Sequence, residues 1–226
     1  MNTNSTVCAQ RILIAAMAAS SLALPLAAHA GDIYVNAGLP GVMLGYAQPV
    51  SESITLRVDA ATLTTHVDGH RDGMDYRGRA QLDRVGLFGD WFAFTPGGFR
   101  LTGGITVNDM RGNWTGRGNG ELVTVGDVPY LLTAKDRIDV QVKFPRTTPY
   151  LGIGWGRQAV GDAGWGFSFD LGASLGRFTV TGQAQGPVLS SPMAQEDFQR
   201  ELADLRDKAD RYRFVPQLTI GVGYRF

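Results

Sequence analysis

Cysteine is almost absent from this sequence. The one cysteine among 226 residues is Cys8, close to the amino terminus. The remainder of the chain can therefore form no disulfide. Its fold has to be stabilised by packing and by backbone hydrogen bonds.

An excess of either charge is also absent, since 21 basic residues balance 21 acidic ones. Proteins that bind nucleic acid need a basic surface against the phosphates, so the composition argues against a nucleic-acid partner. Glycine, in contrast, is abundant, with 30 residues. This abundance favours tight turns and closely packed strands over long helices.

Long apolar runs are scarce, and the one that exists, residues 12–26, is too short for an ordinary membrane-spanning helix. Arg11 precedes the run, and an Ala-His-Ala tripeptide follows it directly before Gly31. This order of a positive residue, an apolar segment and a small-x-small site is typical of a secretory signal peptide. We therefore expect residues 1–30 to be a signal peptide and residues 31–226 to form an exported domain.

The end of the chain alternates strictly between two kinds of side chain. From position 216 to position 226 the even residues are apolar, whereas the odd residues are small or polar. Such alternation predicts a strand whose two faces meet different surroundings. The chain ends on Tyr224, Arg225 and Phe226, an aromatic-x-aromatic sequence. This ending resembles the signal by which the barrel-assembly machinery recognises outer-membrane barrels.

Other segments repeat the alternation, namely residues 54–61, 99–108, 151–156 and 167–174. In each, the charged residues fall on the face without the apolar side chains. A membrane barrel places such charges in its lumen, because exposure to lipid would be costly. The segment 81–94 is less regular, and it divides into two sets. The lipid-facing set is Val85, Leu87, Trp91 and Ala93, and the inward set is Arg84, Phe88, Asp90 and Phe92.

The connections alternate between short and long. The short ones are 49–52, 95–98 and 157–164, and the long ones are 66–76, 111–146 and 181–211. With a tight turn at 39–41, the count becomes eight strands, with both ends of the chain on one side. The pattern predicts an all-β fold, an eight-stranded antiparallel transmembrane β-barrel with short periplasmic turns and long extracellular loops.

The last long connection contains a predicted helix over residues 192–211. Ser191 can cap its start, and Pro192 suits its first position. We expect the i,i+4 ion pairs Glu196–Arg200, Asp204–Lys208 and Asp207–Arg211. One narrow apolar stripe along this helix is formed by Phe198, Leu202, Leu205 and Ala209. The stripe predicts a lid that packs on the barrel rim or on another loop, and a helix for a partner or a lipid headgroup is the alternative.

These features resemble the small bacterial outer-membrane barrels of the OmpA, OmpW and opacity-protein type. The resemblance rests on the signal peptide, the glycine-rich alternating segment 150–156 and the terminal sequence 223–226. The resemblance implies a location in the outer membrane. It also implies two partners, which are outer-membrane lipid and the assembly machinery that recognises Tyr224 and Phe226. Such barrels include structural proteins, adhesins and small-solute channels, so the resemblance selects no function.

Charged residues on the inward faces are the most informative candidate site. A barrel of eight strands is just wide enough for its own side chains to fill. Mixed signs in that space favour ion pairs that bridge the strands, as a structural plug or, alternatively, as the gate of a narrow pore. The predicted network comprises Arg57, Asp59, Arg84, Asp90, Arg100, Asp170 and Arg225.

Three functions remain open from the sequence. The first is a non-enzymatic barrel with a structural or surface-interaction role towards an unknown ligand, and the second is a narrow channel for small solutes. The third is a hydrolase at the barrel mouth, which would use His66 or His70 with Ser190 or Ser191. No nucleophile motif supports the third, so we expect no catalytic residues, no enzymatic activity and no cofactor.

Two histidines and two aspartates alternate in a polar segment. His66, Asp68, His70 and Asp72 would share one face of an extended strand, where they could hold a divalent metal ion. A solvated loop tip is the simpler interpretation, because surface loops are ordinarily polar.

The metal hypothesis makes a direct prediction. Wild type should bind zinc more tightly than the double variant His66→Ala/His70→Ala, since the variant lacks both imidazole ligands. Isothermal titration with zinc measures the difference. Equal binding by the two proteins would remove the hypothesis.

Overall fold

The computed structural model describes residues 31–71, 74–94, 98–126, 128–157 and 161–226. The expected signal peptide, residues 1–30, lies outside the described residues. Among the helices that are described, none has the length and apolar character needed to cross a membrane.

Strands dominate the described residues, which also contain one helix. The strands are β1 (Asp32–Leu39), β2 (Gly41–Pro49), β3 (Ile54–Arg71), β4 (Met74–Trp91), β5 (Arg100–Gly118), β6 (Leu122–Val125), β7 (Val128–Leu131), β8 (Arg137–Lys143), β9 (Thr147–Trp155), β10 (Gly164–Leu175), β11 (Thr179–Gln185) and β12 (Phe214–Arg225). The helix is α1 (Pro192–Asp210), between β11 and β12.

Eight of these strands close into a ring. The hydrogen-bonded order is β1, β2, β3, β4, β5, β9, β10 and β12, and β12 pairs with β1 to complete it. Every pair in the ring is antiparallel, and the closing pair runs from Asp32 opposite Arg225 to Leu39 opposite Leu218. The expected eight-stranded antiparallel barrel is confirmed.

Side chains in the ring alternate between exposed apolar and buried polar. On β4, Leu87 and Trp91 are exposed, whereas Arg84, Phe88 and Asp90 are buried. The inward set expected for residues 81–94 is therefore correct. Because a one-residue slip would turn every charge towards the outside, this alternation fixes the pairing register.

Inward-facing glycines make room for the large interior side chains. A Cβ atom on Gly86 would lie 2.1 Å from the ring of Phe88, and one on Gly172 would lie 2.2 Å from the hydroxyl of Tyr150. Likewise, a Cβ on Gly154 would lie 2.5 Å from the Arg100 guanidinium carbon. The high glycine content thus reflects space inside the barrel as well as turns.

The long connections are corrected by the structure, because much of their length is strand. β3 and β4 continue as a paired hairpin up to Arg71 and Met74, and β5 continues to Gly118. The outer half of β5 pairs with β8, which in turn pairs with β11. Both faces of these extensions carry polar residues, so the alternation that identifies a lipid-facing strand is lost. Backbone pairing with the neighbouring strand continues nevertheless.

A second packed core lies at this end of the ring, beside the strand extensions. We call the elements β6, β7, β8, β11 and α1 the cap. The opposite end of the ring, where the short connections lie, is the turn end. Phe198 and Leu202 of α1 pack over Gly182 of β11. The buried apolar residues of this core are Met74, Val123, Val125, Leu132, Val180, Ala184, Leu189, Ala194, Phe198 and Leu202.

The helix begins and docks as its sequence predicts. The Ser191 side chain accepts a hydrogen bond from the backbone N–H of Ala194, and Pro192 opens the first turn. Because the apolar stripe is buried in the cap, the lid interpretation is correct. The expected pairing of Glu196 with Arg200 is wrong, since Arg200 pairs with the buried Asp197 instead. The other two expected pairs are not among the ion pairs of the described residues.

Asp136 joins two connections of the cap, the one between β7 and β8 and the one between β11 and α1. Its carboxylate accepts hydrogen bonds from the backbone N–H and hydroxyl of Thr133, and from the backbone N–H groups of Val188 and Leu189. Burial raises the pKa of Asp136, but these hydrogen bonds outweigh it and hold the pKa below its ordinary value. Gly186, with φ +130°, gives the carboxylate room, since a Cβ there would lie 2.4 Å from Oδ1.

Acid should loosen the cap. The contribution of Asp136 to stability is complete above the pKa of an unfolded aspartate, about 3.9, and is lost as the pH falls through the lower folded value. Hydrogen exchange at the amides of Val188 and Leu189, corrected for the intrinsic effect of pH, should therefore show easier opening in acid. In Asp136→Asn the opening should already be easy at neutral pH. Equal protection in the two proteins at neutral pH would contradict this account.

Candidate functional site in the barrel interior

The candidate site is the layer of charged side chains inside the ring. All seven residues of the predicted network project inward from β3, β4, β5, β10 and β12 and are buried. Six of them are joined by ion pairs in this layer, and the seventh, Arg225, pairs with Asp32 at the turn end. Each occupies the inward phase of its strand, so the site follows from the alternation and from the closure of the ring.

Asp59 is the centre of the first cluster. Its Oδ1 lies 2.7 Å from Nη2 of Arg84, and its Oδ2 lies 3.4 Å from Nη1 of Arg57. The hydroxyl of Tyr34 donates a hydrogen bond of 3.0 Å to the same Oδ2. Arg84 also donates to the side-chain oxygen of Gln217, across the barrel on β12.

Asp90 is the centre of the second cluster. Its Oδ2 lies 3.0 Å from Nε of Arg57 and 3.7 Å from Nε of Arg100. The hydroxyl of Thr102 donates to its Oδ1 over 2.6 Å. Arg57 therefore links the two clusters, since it contacts both Asp59 and Asp90.

Asp170, on the opposite wall, is the centre of the third cluster. Nη2 of Arg100 pairs with its Oδ1, and Nη2 of Arg157 lies 3.5 Å from its Oδ2. The side-chain amide of Asn36 donates to Oδ2 over 3.2 Å. Because Nη2 of Arg57 also lies 4.0 Å from Oδ1, the three clusters form one network across the barrel.

Aromatic rings fill the space between the charges. The rings of Phe88 and Tyr150 meet edge to face, with centroids 4.9 Å apart. The guanidinium of Arg57 lies 4.7 Å from the centroid of Phe88, and that of Arg157 lies 3.8 Å from the centroid of Tyr34. These cation–π contacts hold the arginines in place without further acids.

A separate pair joins the first and last strands at the turn end. Arg225 places Nε 2.6 Å from Oδ1 of Asp32 and Nη2 2.8 Å from Oδ2, which is a bidentate geometry. The pair lies where β12 meets β1, so it reinforces the closure of the ring.

Positive charge is in slight excess inside the ring. The described interior contains five arginines, Arg57, Arg84, Arg100, Arg157 and Arg225, against four aspartates, Asp32, Asp59, Asp90 and Asp170. Nη1 of Arg100 and Nη1 of Arg157 are buried and have no hydrogen-bond partner among the described residues. The interior is thus a nearly neutral, densely paired layer that carries one additional positive charge.

Several members of the network were not expected from the sequence. Asp32, Tyr34 and Asn36 lie on the inward phase of β1, at a spacing of two that the same alternation rule could have identified. Arg157 follows β9 in a connection, where no strand period applies. Its position over Tyr34 therefore has no signal in the sequence.

The residues considered for hydrolysis lie apart from this network. His70 contacts Asp75 across the β3–β4 hairpin, with 2.9 Å between Nδ1 and Oδ1, and both side chains are exposed. The hydroxyl of Ser191 caps α1 and donates to the carbonyl of Val188. No hydrogen bond between described residues joins either histidine to Ser190 or Ser191. The hydrolase hypothesis therefore has no geometric support in the described chain.

The residues considered for a metal site lie on the exposed part of β3. His66, Asp68 and His70 share the outward phase of that strand, as expected, and Asp72 lies outside the described residues. Within the described ranges, no three His, Cys, Asp or Glu side chains come together as a metal site requires.

Comparison with known proteins identifies the fold. Neither a scan against protein-family models nor a search of curated proteins gave a match. The crystal structure of Acinetobacter baumannii CarO matches with a TM-score of 0.56 at 18% identity, over 87% of this chain and 97% of that chain. That of Acinetobacter baumannii CarO2 matches with a TM-score of 0.60 at 16% identity, over 87% and 98%.

A major outer membrane protein from Thermus thermophilus also matches, with a TM-score of 0.41 at 12% identity, over 87% of this chain and 99% of that chain. The CarO proteins are small outer-membrane β-barrels, so the resemblance expected from the sequence is confirmed for the fold.

Removing one acid from the interior should be far more damaging than removing an exposed one. Asp59→Ala leaves the buried Arg57 and Arg84 without a shared partner, and we expect a loss of about 3–5 kcal/mol in unfolding free energy. Asp75→Ala, which breaks the exposed contact with His70, should cost about 0–1 kcal/mol. Denaturant unfolding of the refolded proteins in lipid vesicles measures both. Equal losses would contradict the network's role in stability.

Proposed function

We propose that this chain is a non-enzymatic, non-conducting barrel of the bacterial outer membrane that presents its cap at the cell surface. The observation that carries the proposal is a filled interior beneath a separately packed cap. The proposal has three parts, which are the membrane location, the closed lumen and the exposed cap.

The outer surface of the ring supports the membrane location. Every strand of the ring exposes large apolar side chains, such as Leu44 on β2, Ile105 on β5 and Phe167 on β10. A soluble monomer rarely exposes a contiguous apolar patch larger than several hundred square ångströms, whereas this surface encircles the barrel. Trp155, Trp165 and other aromatic side chains lie near the turn end, as in the aromatic girdle of a membrane barrel.

The burial of inward side chains supports a closed lumen. Arg100 and Thr106 are 0% exposed and Arg57 is 2% exposed, although all three point into the ring. A pore that is filled with water would leave part of its lining exposed. Above the charged layer, the hydroxyls of Thr106 and Thr148 lie 2.8 Å apart and add a second filled layer.

The orientation follows from the ends of the barrel. Membrane barrels of this class have short periplasmic turns and longer extracellular connections. The turn end, with both Asp32 and Arg225, would then face the periplasm, and the cap would face outward. The cap has its own apolar core, so it can present a rigid surface to a ligand or partner outside the cell.

The partners of the chain follow from the same proposal. Outer-membrane lipid surrounds the apolar belt, and the barrel-assembly machinery recognises the last strand through Tyr224 and Phe226. Both aromatic side chains point outward and are exposed, and Tyr224 packs against Trp165 with centroids 5.4 Å apart. The balanced charge of the chain gives no basis for a nucleic-acid partner.

A narrow channel for small solutes is the second candidate. A cavity of about 250 Å³ opens at the turn end and is lined by Asp32, Arg157 and Arg225. In this alternative the interior ion pairs act as a gate, and their rearrangement joins the cavity to the cap end.

Electrical recording distinguishes the two candidates. The refolded wild type should give no stepwise current in a planar bilayer, because its interior is filled. The variant Phe88→Ala/Tyr150→Ala should leak ions, since it empties an aromatic layer of the lumen while the carboxylate partners of Arg57 and Arg84 remain. Trp91→Ala, on the lipid-facing side, should be silent. Regular stepwise currents from the wild type would overturn the closed-barrel proposal.

A further inference from the structure

A positively charged cavity lies on the outer wall of the barrel, at the border between the ring and the cap. It occupies about 510 Å³ beside the break between β8 and β9, next to the middle of β5. The side chains of Arg111, Lys143 and Arg146 line it, together with one acid, Asp109. The cavity therefore carries three positive charges and one negative charge.

Two of these cations face each other directly. Arg111 on β5 and Lys143 on β8 are cross-strand partners, and like charges in that position repel. Arg111 contacts Asp109, with 2.5 Å between Nη2 and Oδ2. In the described chain no ion pair involves Lys143 or Arg146. A shared anion would convert this repulsion into attraction.

The Arg111 guanidinium keeps one nitrogen available to a ligand. Nη2 is used by Asp109 and Nε has no accessible surface, whereas Nη1 takes part in no hydrogen bond of the described residues. Arg111 can therefore donate a charged hydrogen bond from Nη1 to a phosphate oxygen. Lys143 and Arg146 can add charge to the remaining oxygens.

The backbone holds the cavity in shape. The N–H of Asn108 donates to the carbonyl of Arg146 over 2.6 Å, and the side-chain amide of Asn108 donates to the carbonyl of Pro145 over 3.2 Å. Phe144 is buried and packs against Phe178, with ring centroids 5.0 Å apart. These contacts fix the break between the two strands, so Lys143 and Arg146 stay beside β5.

The cavity lies just beyond the apolar belt. On the outward phase of β5, Ile105 and Val107 are the last exposed apolar side chains, and the next positions of that phase are Asp109 and Arg111. Arg111 is four residues from Val107, or about 13 Å along a strand that tilts by about 40°. The long side chain of Arg111 can reach back, which places its charge at the level of lipid headgroups.

We propose that this cavity binds a phosphate group, and that its occupant is the phosphomonoester headgroup of a lipid in the outer leaflet. The inference rests on the proposed membrane location and orientation. Arg111 supplies a charged hydrogen bond, Lys143 and Arg146 supply further positive charge, and the lipid chains lie along the belt below. Free inorganic phosphate offers the same chemistry without the chains.

Binding to phosphatidic acid tests the site. The refolded chain in neutral nanodiscs that contain a few per cent phosphatidic acid is compared with the variant Arg111→Gln/Lys143→Gln. We expect the double variant to retain the lipid at least about tenfold less well, as measured by native mass spectrometry. Arg137→Gln is the matched control, because Arg137 lies on β8 but pairs with Asp139 outside the cavity.

Stability provides a second readout that changes sign. In neutral lipid alone, Lys143→Gln should raise the thermal midpoint, because it removes the repulsion with Arg111. With phosphatidic acid present, the same substitution should lower the midpoint relative to wild type. A change of the same sign in both lipids would overturn the shared-anion account.

The remaining outcomes decide the occupant. Retention that is equal in wild type, double variant and control overturns the site. Tight binding of inorganic phosphate that depends on Arg111 and Lys143, without retention of phosphatidic acid, overturns the lipid assignment. Vesicle flotation checks that every variant inserts, and a failure of the wild type to insert would instead overturn the proposed membrane location.

Discussion

Backbone groups inside a bilayer need partners within the protein, and a sheet meets this requirement only by closing on itself. In this chain the closure is made by the first and last strands of the ring, β1 and β12, which pair over eight residues each. The two-residue period of the strands then places alternate side chains on opposite sides of the barrel wall. The apolar outer belt and the polar interior therefore both result from closing one alternating sheet into a ring.

The interior shows how a narrow lumen accommodates charge. Neither Asp59 nor Asp170 would be tolerated there alone, since an unpaired buried ion costs several kcal/mol. Each is surrounded by guanidinium groups and by neutral donors such as Asn36. The ion pairs need not add net stability compared with an apolar filling. They fix which strands lie opposite one another, because every arginine contacts an acid on a different wall or strand.

Sequence reasoning reached the parts of the fold that depend on alternation, and it failed where that signal ends. Arg57 and Asp90 could be placed inside because the residues next to each of them along the strand are apolar or small and define the outer face. The strand extensions beyond the belt, such as the pairing of His70 with Asp75, are predicted from the sequence as loops because both of their faces are polar. Arg157 was missed because a connection has no period. The apolar stripe of α1 predicts that the helix packs against the protein as a lid. Its contact with Gly182 depends on tertiary packing and has no signal in the sequence.

The described chain contains two separately packed regions, the ring and the cap. The ring is held by backbone pairing around a charged interior, whereas the cap has an apolar core like that of a small soluble domain. The border between them carries the cations of the outer wall, where the apolar belt ends and water begins.

The most direct test of this account is the surroundings of its tryptophans. Single-tryptophan proteins that keep only Trp91 or only Trp114 are reconstituted in vesicles, and their fluorescence is quenched either by brominated acyl chains or by iodide. The account predicts that brominated lipid quenches Trp91, on the belt, and that iodide quenches Trp114, beyond it. Iodide quenching of Trp91 with no effect of brominated lipid would contradict the account, because the apolar face would then not lie in the bilayer.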